Sequence, residues 1–140
     1  ERVVESGTDF VVITGGEPAM YNLKPLCDAL HDVEMYIAIE TSGAYPIVGE
    51  IDWVCLSPKK FKMPLEGNYE IANELKMIAF NKHDLKWAKE LEPKVNLACQ
   101  LYIQPEWDKK SEILPEVIDF IKGNIDWNIS LQTHKFLDVR

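Results

Sequence analysis

Residues 10–18 have the sequence Phe-Val-Val-Ile-Thr-Gly-Gly-Glu-Pro, in which a short apolar run passes directly into two glycines, an acid and a proline. The apolar run is continuous rather than alternating, which is typical of a strand covered on both faces. The two glycines end the strand and permit a tight turn. This stretch therefore predicts a parallel strand whose carboxyl end opens into a polar loop.

Strands and helices are predicted to alternate along most of the chain. The predicted strands are residues 10–14, 35–40, 53–56, 75–80, 98–104 and 127–131. Three helices, each with one apolar face, are also predicted. The first ends near His31, the second ends before Pro93 and the third ends at Gly123. Such alternation indicates parallel βα units, either in a barrel or in an open, doubly wound sheet. We expect one domain over residues 1–140.

The charge pattern bears on possible partners. The formal net charge is −8, and acidic and basic residues are mixed along the chain. Binding to nucleic acid needs clustered Lys and Arg that displace counterions from phosphates, and the sequence has no such cluster. It also has no apolar run of the roughly 18 residues needed to cross a bilayer, and no leader peptide. We therefore expect a soluble, cytoplasmic protein that binds neither nucleic acid nor membrane.

The three cysteines, Cys27, Cys55 and Cys99, are far apart in the sequence and lie in apolar surroundings. An odd number at wide spacing argues against a disulfide framework. Metal and iron–sulfur sites usually have closely spaced cysteines, because a short loop brings several thiolates to one ion. We interpret all three as small buried residues.

Polar groups follow five of the predicted strands. In parallel α/β folds, binding residues gather at the carboxyl ends of the strands. The five groups should therefore meet around one ligand. They are residues 14–18, 40–43, 57–59, 104–105 and 132–135.

The first two groups each allow two interpretations. Gly15 and Gly16 would let the backbone approach a ligand closely, with Glu17 accepting hydrogen bonds from an amine, but the same residues also suit a plain turn. Glu40 has the two carboxylate oxygens needed to bridge the hydroxyls of a ribose. Equally, Glu40 suits a strand-end acid that caps the turn at residues 41–43.

The remaining groups carry complementary chemistry. Ser57 and Lys59 place a hydroxyl and an ammonium at one strand end, whereas Lys60 and Lys62 are interpreted as solvated loop charges. The amide of Gln104 both donates and accepts, which suits a nucleoside edge. Trp107 either stacks on a purine or, as we expect, covers an apolar helix. His134 is suited to a hydrogen bond with an anionic substrate.

These runs resemble those of radical S-adenosylmethionine (SAM) enzymes, and of the 7-carboxy-7-deazaguanine synthase family in particular. Thr-Gly-Gly-Glu-Pro at 14–18 resembles the motif that holds the SAM ammonium, and Glu-Thr-Ser-Gly at 40–43 also matches the superfamily. Leu-Ser-Pro-Lys at 56–59, Gln-Pro at 104–105 and Gln-Thr-His-Lys at 132–135 are similar to runs of the synthase family. The resemblance implies a partial TIM-type βα barrel with parallel strands, a radical SAM core without its first strand.

The resemblance also implies roles for ten residues. SAM contacts are expected from Gly15, Gly16, Glu17, Glu40, Ser57, Lys59 and Gln104. Substrate contacts are expected from Thr14, Gln132 and His134. No residue of the chain is expected to act as an acid, base or nucleophile, because in this chemistry the cofactors perform the difficult steps.

The implied reaction is the radical ring contraction of 6-carboxy-5,6,7,8-tetrahydropterin to 7-carboxy-7-deazaguanine, a lyase step towards queuosine. It requires SAM, a [4Fe–4S] cluster, Mg²⁺ and an electron donor such as flavodoxin or ferredoxin. Two alternatives remain open at this stage. One is another radical SAM activity, such as a glycyl-radical-enzyme activase, and the other is a non-catalytic nucleotide-binding α/β domain.

The chain departs from the family pattern in lacking its three cluster cysteines and its Mg²⁺-associated threonine, which we expect in an N-terminal segment outside this sequence. The 140 residues alone are therefore expected to be inactive. Without a preceding strand, residues 10–14 should lie at a sheet edge, with exposed apolar surface or homodimerisation as the consequence. The C-terminal Arg140 has no side-chain match in the family.

Overall fold

The computed structural model describes residues 2–139 and contains all six predicted strands. Their bounds differ from the predicted ones by at most two residues, because hydrogen bonding rather than apolar character decides where a strand ends. The strands are β1 (Phe10–Ile13), β2 (Tyr36–Thr41), β3 (Trp53–Leu56), β4 (Glu74–Ala79), β5 (Gln100–Pro105) and β6 (Trp127–Ile129).

The strands form one parallel sheet in the order β1-β2-β3-β4-β5-β6. A doubly wound sheet reverses its strand order at a switch point, whereas a βα barrel adds each strand beside the previous one. The sequential order settles the alternative left open by the sequence. The fold is a barrel-type βα sheet of six strands.

Helices connect most of the strands, and those predicted from apolar periodicity are confirmed. The helices are α1 (Arg2–Glu5), α2 (Lys24–His31), α3 (Glu66–Glu70), α4 (Lys82–Leu91), α5 (Lys110–Gly123) and α6 (Thr133–Phe136), of which α2, α4 and α5 are the periodic helices predicted from the sequence. Gly7 follows α1 with a positive φ of 71°, as expected of a helix-ending glycine, while Glu1 lies outside the described residues. In the described part of the chain, no helix is long and apolar enough to span a bilayer.

The two faces of the sheet differ in chemistry, as β4 illustrates. Leu75, Met77 and Ala79 are buried in the main apolar core, against which α4 and α5 pack. The intervening Glu74, Lys76 and Ile78 line a cavity on the opposite face. The helices therefore cover one side of the sheet and leave a polar concave side.

The prediction that residues 10–14 form an edge strand is confirmed. Among the described residues, β1 pairs with β2 alone. Phe10 and Val12 are 47% and 44% exposed, and the ring of Phe10 stacks on that of Tyr36 with centroids 5.8 Å apart. This edge presents apolar side chains to solvent.

Candidate functional site

A cavity of about 550 Å³ opens at the carboxyl ends of the strands. Polar groups that are up to about 120 positions apart in sequence meet there because parallel strands all point the same way. Of the ten residues selected from the sequence, only Gly15 does not line the cavity. The others that line it are Thr14, Gly16, Glu17, Glu40, Ser57, Lys59, Gln104, Gln132 and His134.

Glu17 fixes the relative position of the first two strand-end loops. Its Oε1 atom accepts hydrogen bonds from Ala19 N at 3.1 Å and Thr41 Oγ1 at 2.5 Å. Its Oε2 atom accepts from Ser42 N at 2.8 Å and from the Ser42 hydroxyl. Burial raises the pKa of Glu17, but the hydrogen bonds from Ser42 and Thr41 outweigh it and hold the pKa below its usual value. The group is therefore a carboxylate at neutral pH.

The turn between β1 and Glu17 requires glycine for its backbone conformation. Gly15 and Gly16 have φ angles of 90° and 56°, in the region that favours glycine. An added Cβ at either position would meet no heavy atom within 4 Å. The turn therefore leaves open space beside the backbone, as close approach of a ligand requires.

An ion pair in the cavity, between a mostly buried lysine and an exposed glutamate, was missed by the sequence analysis. The Nζ atom of Lys76 lies 2.6 Å from Glu40 Oε1, and the Lys76 side chain is only 13% exposed. Burial lowers the pKa of Lys76, but the hydrogen bond to Glu40 and the charges of Glu40 and Glu74 outweigh it and hold the pKa above its usual value. The available signal was a lysine in the middle of the otherwise largely apolar strand 74–79.

Ser57 and Lys59 lie at the end of β3, on the loop that contains Pro58. The Lys59 ammonium donates a hydrogen bond to Ser57 Oγ at 3.3 Å, and Ser57 N donates to Thr41 O at 2.8 Å. Burial lowers the pKa of Lys59, and the nearby Lys76 ammonium lowers it further. The two ammonium groups therefore lie close enough to repel each other, while Glu17, Glu40 and Glu74 line the same cavity.

Gln104 and His134 lie on the other side of the cavity. Gln104 is 8% exposed, and its amide oxygen accepts a hydrogen bond from Ser130 Oγ at 3.2 Å. This contact orients the amide and assigns a structural role to Ser130, which the sequence analysis missed. Gln132, just before α6, and His134, within α6, both line the cavity. His134 is exposed.

A second cavity, of about 480 Å³, adjoins the first and shares Lys59, Ile78, Gln104 and Gln132 with it. Aromatic side chains dominate the rest of its wall: Phe61, Phe80, Trp87 and Trp107. The expectation that Trp107 covers an apolar helix is only partly met. Its ring packs edge-on against Phe136 of α6, 4.9 Å between centroids, and its other contacts include Lys110 and Lys135.

Lys60 and Lys62 are exposed loop residues, as predicted, but each also has a partner that the sequence did not indicate. Lys60 forms an ion pair with the buried Asp84 at the start of α4. The Lys62 ammonium lies 3.6 Å from the centroid of the Tyr45 ring. Both contacts are between segments far apart in sequence, so no local pattern indicates them. They hold the loop that contains Lys59 against the body of the fold.

The described residues do not offer a set of ligands for an iron–sulfur cluster. Within residues 2–139, no three His, Cys, Asp or Glu side chains are grouped as metal ligands would be. Cys27, Cys55 and Cys99 are buried and free, and Cys27 and Cys99 belong to different apolar clusters. Burial raises the pKa of Cys55 to about 12 and that of Cys99 to about 11, which disfavours the thiolate that binds metal.

Comparison with solved structures shows the class of this fold. No protein-family model matches the chain. The crystal structure of QueE from Escherichia coli superposes with a TM-score of 0.74 at 28% identity, over 94% of this chain and 60% of that one. This match, together with the six consecutive parallel strands around a polar cavity, shows that the fold is a radical SAM-type βα barrel.

Curated relatives narrow this class to a family. A 7-carboxy-7-deazaguanine synthase of Flavobacterium psychrophilum is 46% identical over 98% of this chain, and that of a Synechocystis species is 42% identical over 100%. The chain therefore belongs to the 7-carboxy-7-deazaguanine synthase family, a family of radical SAM lyases. It spans 67% of the length of each of these two relatives.

Proposed function

We propose that the protein carrying this chain converts 6-carboxy-5,6,7,8-tetrahydropterin to 7-carboxy-7-deazaguanine, using SAM. The observation that supports this most strongly is the shared cavity, because residues selected by family resemblance and spread over most of the chain line one space. Relatives at 46% and 42% identity bear the name of this activity.

The SAM side of the proposed site comprises the ends of β1, β2, β3 and β5. The open turn at Gly15 and Gly16 admits the methionyl end, and Glu17 lies beside it. Each oxygen of Glu17 already accepts two hydrogen bonds. For Glu17 to accept a hydrogen bond from the SAM ammonium, the hydroxyl of Thr41 or of Ser42 must therefore rotate and break its own hydrogen bond to Glu17.

The nucleoside of SAM lies deeper in this proposal. Glu40 accepts hydrogen bonds from the ribose hydroxyls, and Ser57 and Lys59 bind polar groups of the same ligand. Gln104 contacts the nucleoside from β5, with its amide orientation set by Ser130. The purine extends towards the aromatic second cavity, which shares Lys59 and Gln104 with the first.

The substrate side comprises Thr14, Gln132 and His134. Thr14 follows β1 and Gln132 precedes α6, at the two ends of the sheet, and both line the cavity. Their hydroxyl and amide suit the hydrogen-bonding edge of a pterin. His134 donates a hydrogen bond to the substrate carboxylate.

We propose that the [4Fe–4S] cluster and Mg²⁺ are held by residues outside this sequence. Support comes from the buried, separated cysteines and from the chain spanning 67% of its relatives' length. The residues of this chain then bind and orient SAM and substrate. An electron donor such as flavodoxin or ferredoxin, a homodimeric assembly and a cytoplasmic location complete the proposal.

Substrate turnover by the complete protein, after cluster reconstitution, tests the proposal. Formation of 7-carboxy-7-deazaguanine from the pterin substrate is the expected result. Cleavage of SAM without this product would point to another radical SAM activity, such as a glycyl-radical-enzyme activase. Binding of a nucleotide with no cleavage of SAM would point to a non-catalytic domain.

A binding experiment tests the site separately. Glu17→Ala should weaken SAM binding by roughly tenfold or more, since a charged hydrogen-bonding partner is lost. Glu90→Ala is the matched control, because Glu90 is an exposed acid on α4 and does not line the cavity. Equal affinity of both variants for SAM would contradict the proposed role of Glu17.

A further inference from the structure

Lys76 occupies an unusual position for a lysine. It lies in the middle of β4, with strands on both sides, and its side chain projects onto the cavity floor. Lysine is rarely this buried unless it is paired, because taking an ammonium out of water is costly. Its partner is Glu40, at 2.6 Å.

The pair bridges two strands that are not neighbours. Glu40 is on β2 and Lys76 is on β4, with β3 between them. Cys55 of β3 is in register with Glu40 on one side and with Glu74 on the other. Glu74 precedes Lys76 by two residues, so its side chain is on the same face of β4 as that of Lys76. The small thiol side chain at this position leaves room for the long lysine side chain to pass over β3.

The two partners differ in exposure. The Lys76 side chain is 13% exposed, whereas that of Glu40 is 45% exposed and lines the cavity. Lys76 is thus mostly enclosed by protein, and Glu40 extends from it towards the ligand space. The ammonium holds one carboxylate oxygen and so restricts the orientation of the Glu40 carboxylate.

We infer that Lys76 is a positioning residue, which orients the Glu40 carboxylate to accept hydrogen bonds from the vicinal hydroxyls of the bound nucleoside. The inference rests on the proposed function, since it assigns Glu40 to the ribose. A carboxylate held in this way loses less conformational entropy on binding a diol than a mobile one does.

The test compares two ligands, S-adenosylhomocysteine and its analogue without the two ribose hydroxyls. The wild-type protein should prefer the first by roughly tenfold or more. In Lys76→Met this preference should fall by about fivefold to tenfold, while the affinity for the analogue changes little. Lys76→Arg, which keeps the charge, should restore part of the preference. Isothermal titration gives both affinities.

Lys94→Met is the matched control. Lys94 also pairs with a glutamate, Glu66 Oε1 at 2.9 Å, but neither residue lines the cavity. Its ligand preference should equal that of the wild type. A generally weakened fold would lower both affinities together, whereas a positioning role changes their ratio.

Failure of the inference differs from failure of the proposed function. If the complete wild-type protein, with its cluster reconstituted, binds neither ligand, the SAM site itself is refuted. If it prefers the parent ligand and Lys76→Met keeps that preference, or loses affinity equally for both ligands, the positioning role is refuted. If Lys76→Met does not fold, Lys76→Gln takes its place with the same outcomes.

Discussion

The carboxylate of Glu17 accepts hydrogen bonds from both the backbone N–H, at 2.8 Å, and the hydroxyl of Ser42. Glu17 follows β1 and Ser42 follows β2, so one side chain joins the loops of two adjacent strands. The acid therefore organises the cavity wall before any ligand is present. It is a structural residue of the site as well as a proposed ligand contact.

Replacing Glu17 by Gln should destabilise the fold in a pH-dependent manner. The folded pKa lies below the usual value of 4.5 for a glutamate, so the carboxylate contributes stability above pH 4.5 that is lost as the pH falls through the folded pKa. At pH 7 we expect Glu17→Gln to lower the free energy of unfolding by about 1–3 kcal/mol. Urea unfolding between pH 7 and about pH 3 measures this difference. It should shrink below pH 4.5, and a difference independent of pH would refute the assignment.

Gly43 should tolerate no side chain. Its φ is 74°, and an added Cβ would lie 2.2 Å from Leu56 Cδ1 and 3.0 Å from Pro64 Cβ. We expect Gly43→Ala to cost about 2 kcal/mol or more, from backbone strain and repacking, and to displace the adjacent Ser42. Gly67→Ala in α3 is the control, since nothing lies within 4 Å of its Cβ position and it should be neutral or stabilising. Thermal unfolding that ranks the two variants in the opposite order would be inconsistent with this packing.

Asp84 should be more important for stability than an exposed acid. Its carboxylate accepts from Phe80 N at 2.8 Å and Asn81 N at 3.1 Å, which completes the capping box of α4, and it also pairs with Lys60. Asp84→Ala should lower the free energy of unfolding by about 1–2 kcal/mol. Lys60→Met removes the ion pair and the contact of Lys60 with the Trp87 ring but keeps the cap, and it should cost less, about 1 kcal/mol. Equal losses in urea unfolding would mean that the cap contributes nothing.

The β1 edge should promote self-association of the 140-residue chain. Val12 on this edge is 44% exposed, beside backbone groups available for strand pairing. Val12→Lys should weaken association in sedimentation experiments by roughly tenfold, because a charge on an edge strand opposes pairing. Val33→Lys, at another valine that is 44% exposed, is the control. Two variants that associate equally well would exclude β1 as the contact.

The strands and the main helices were predictable because their signals are local. Continuous apolar runs, helical periodicity and glycine turns each lie within about ten residues of chain, and each corresponds to an observed element. The strand-end motifs at Gly16, Ser57 and Gln104 were predictable for the same reason. The common direction of parallel strands then placed them at one cavity.

The ion pairs and hydrogen bonds that hold the site were not predictable from the sequence. Lys76 is 36 residues from Glu40, and Ser130 is 26 residues from Gln104. No local pattern indicates which polar side chains meet at such separations, because the register of several strands fixes their distance. The sequence by itself thus determined the helices and strands and the polar residue types at the strand ends. The partners of Glu17, Glu40 and Gln104 were determined only by the tertiary structure, because distant side chains come within hydrogen-bonding distance only when the strands pack together.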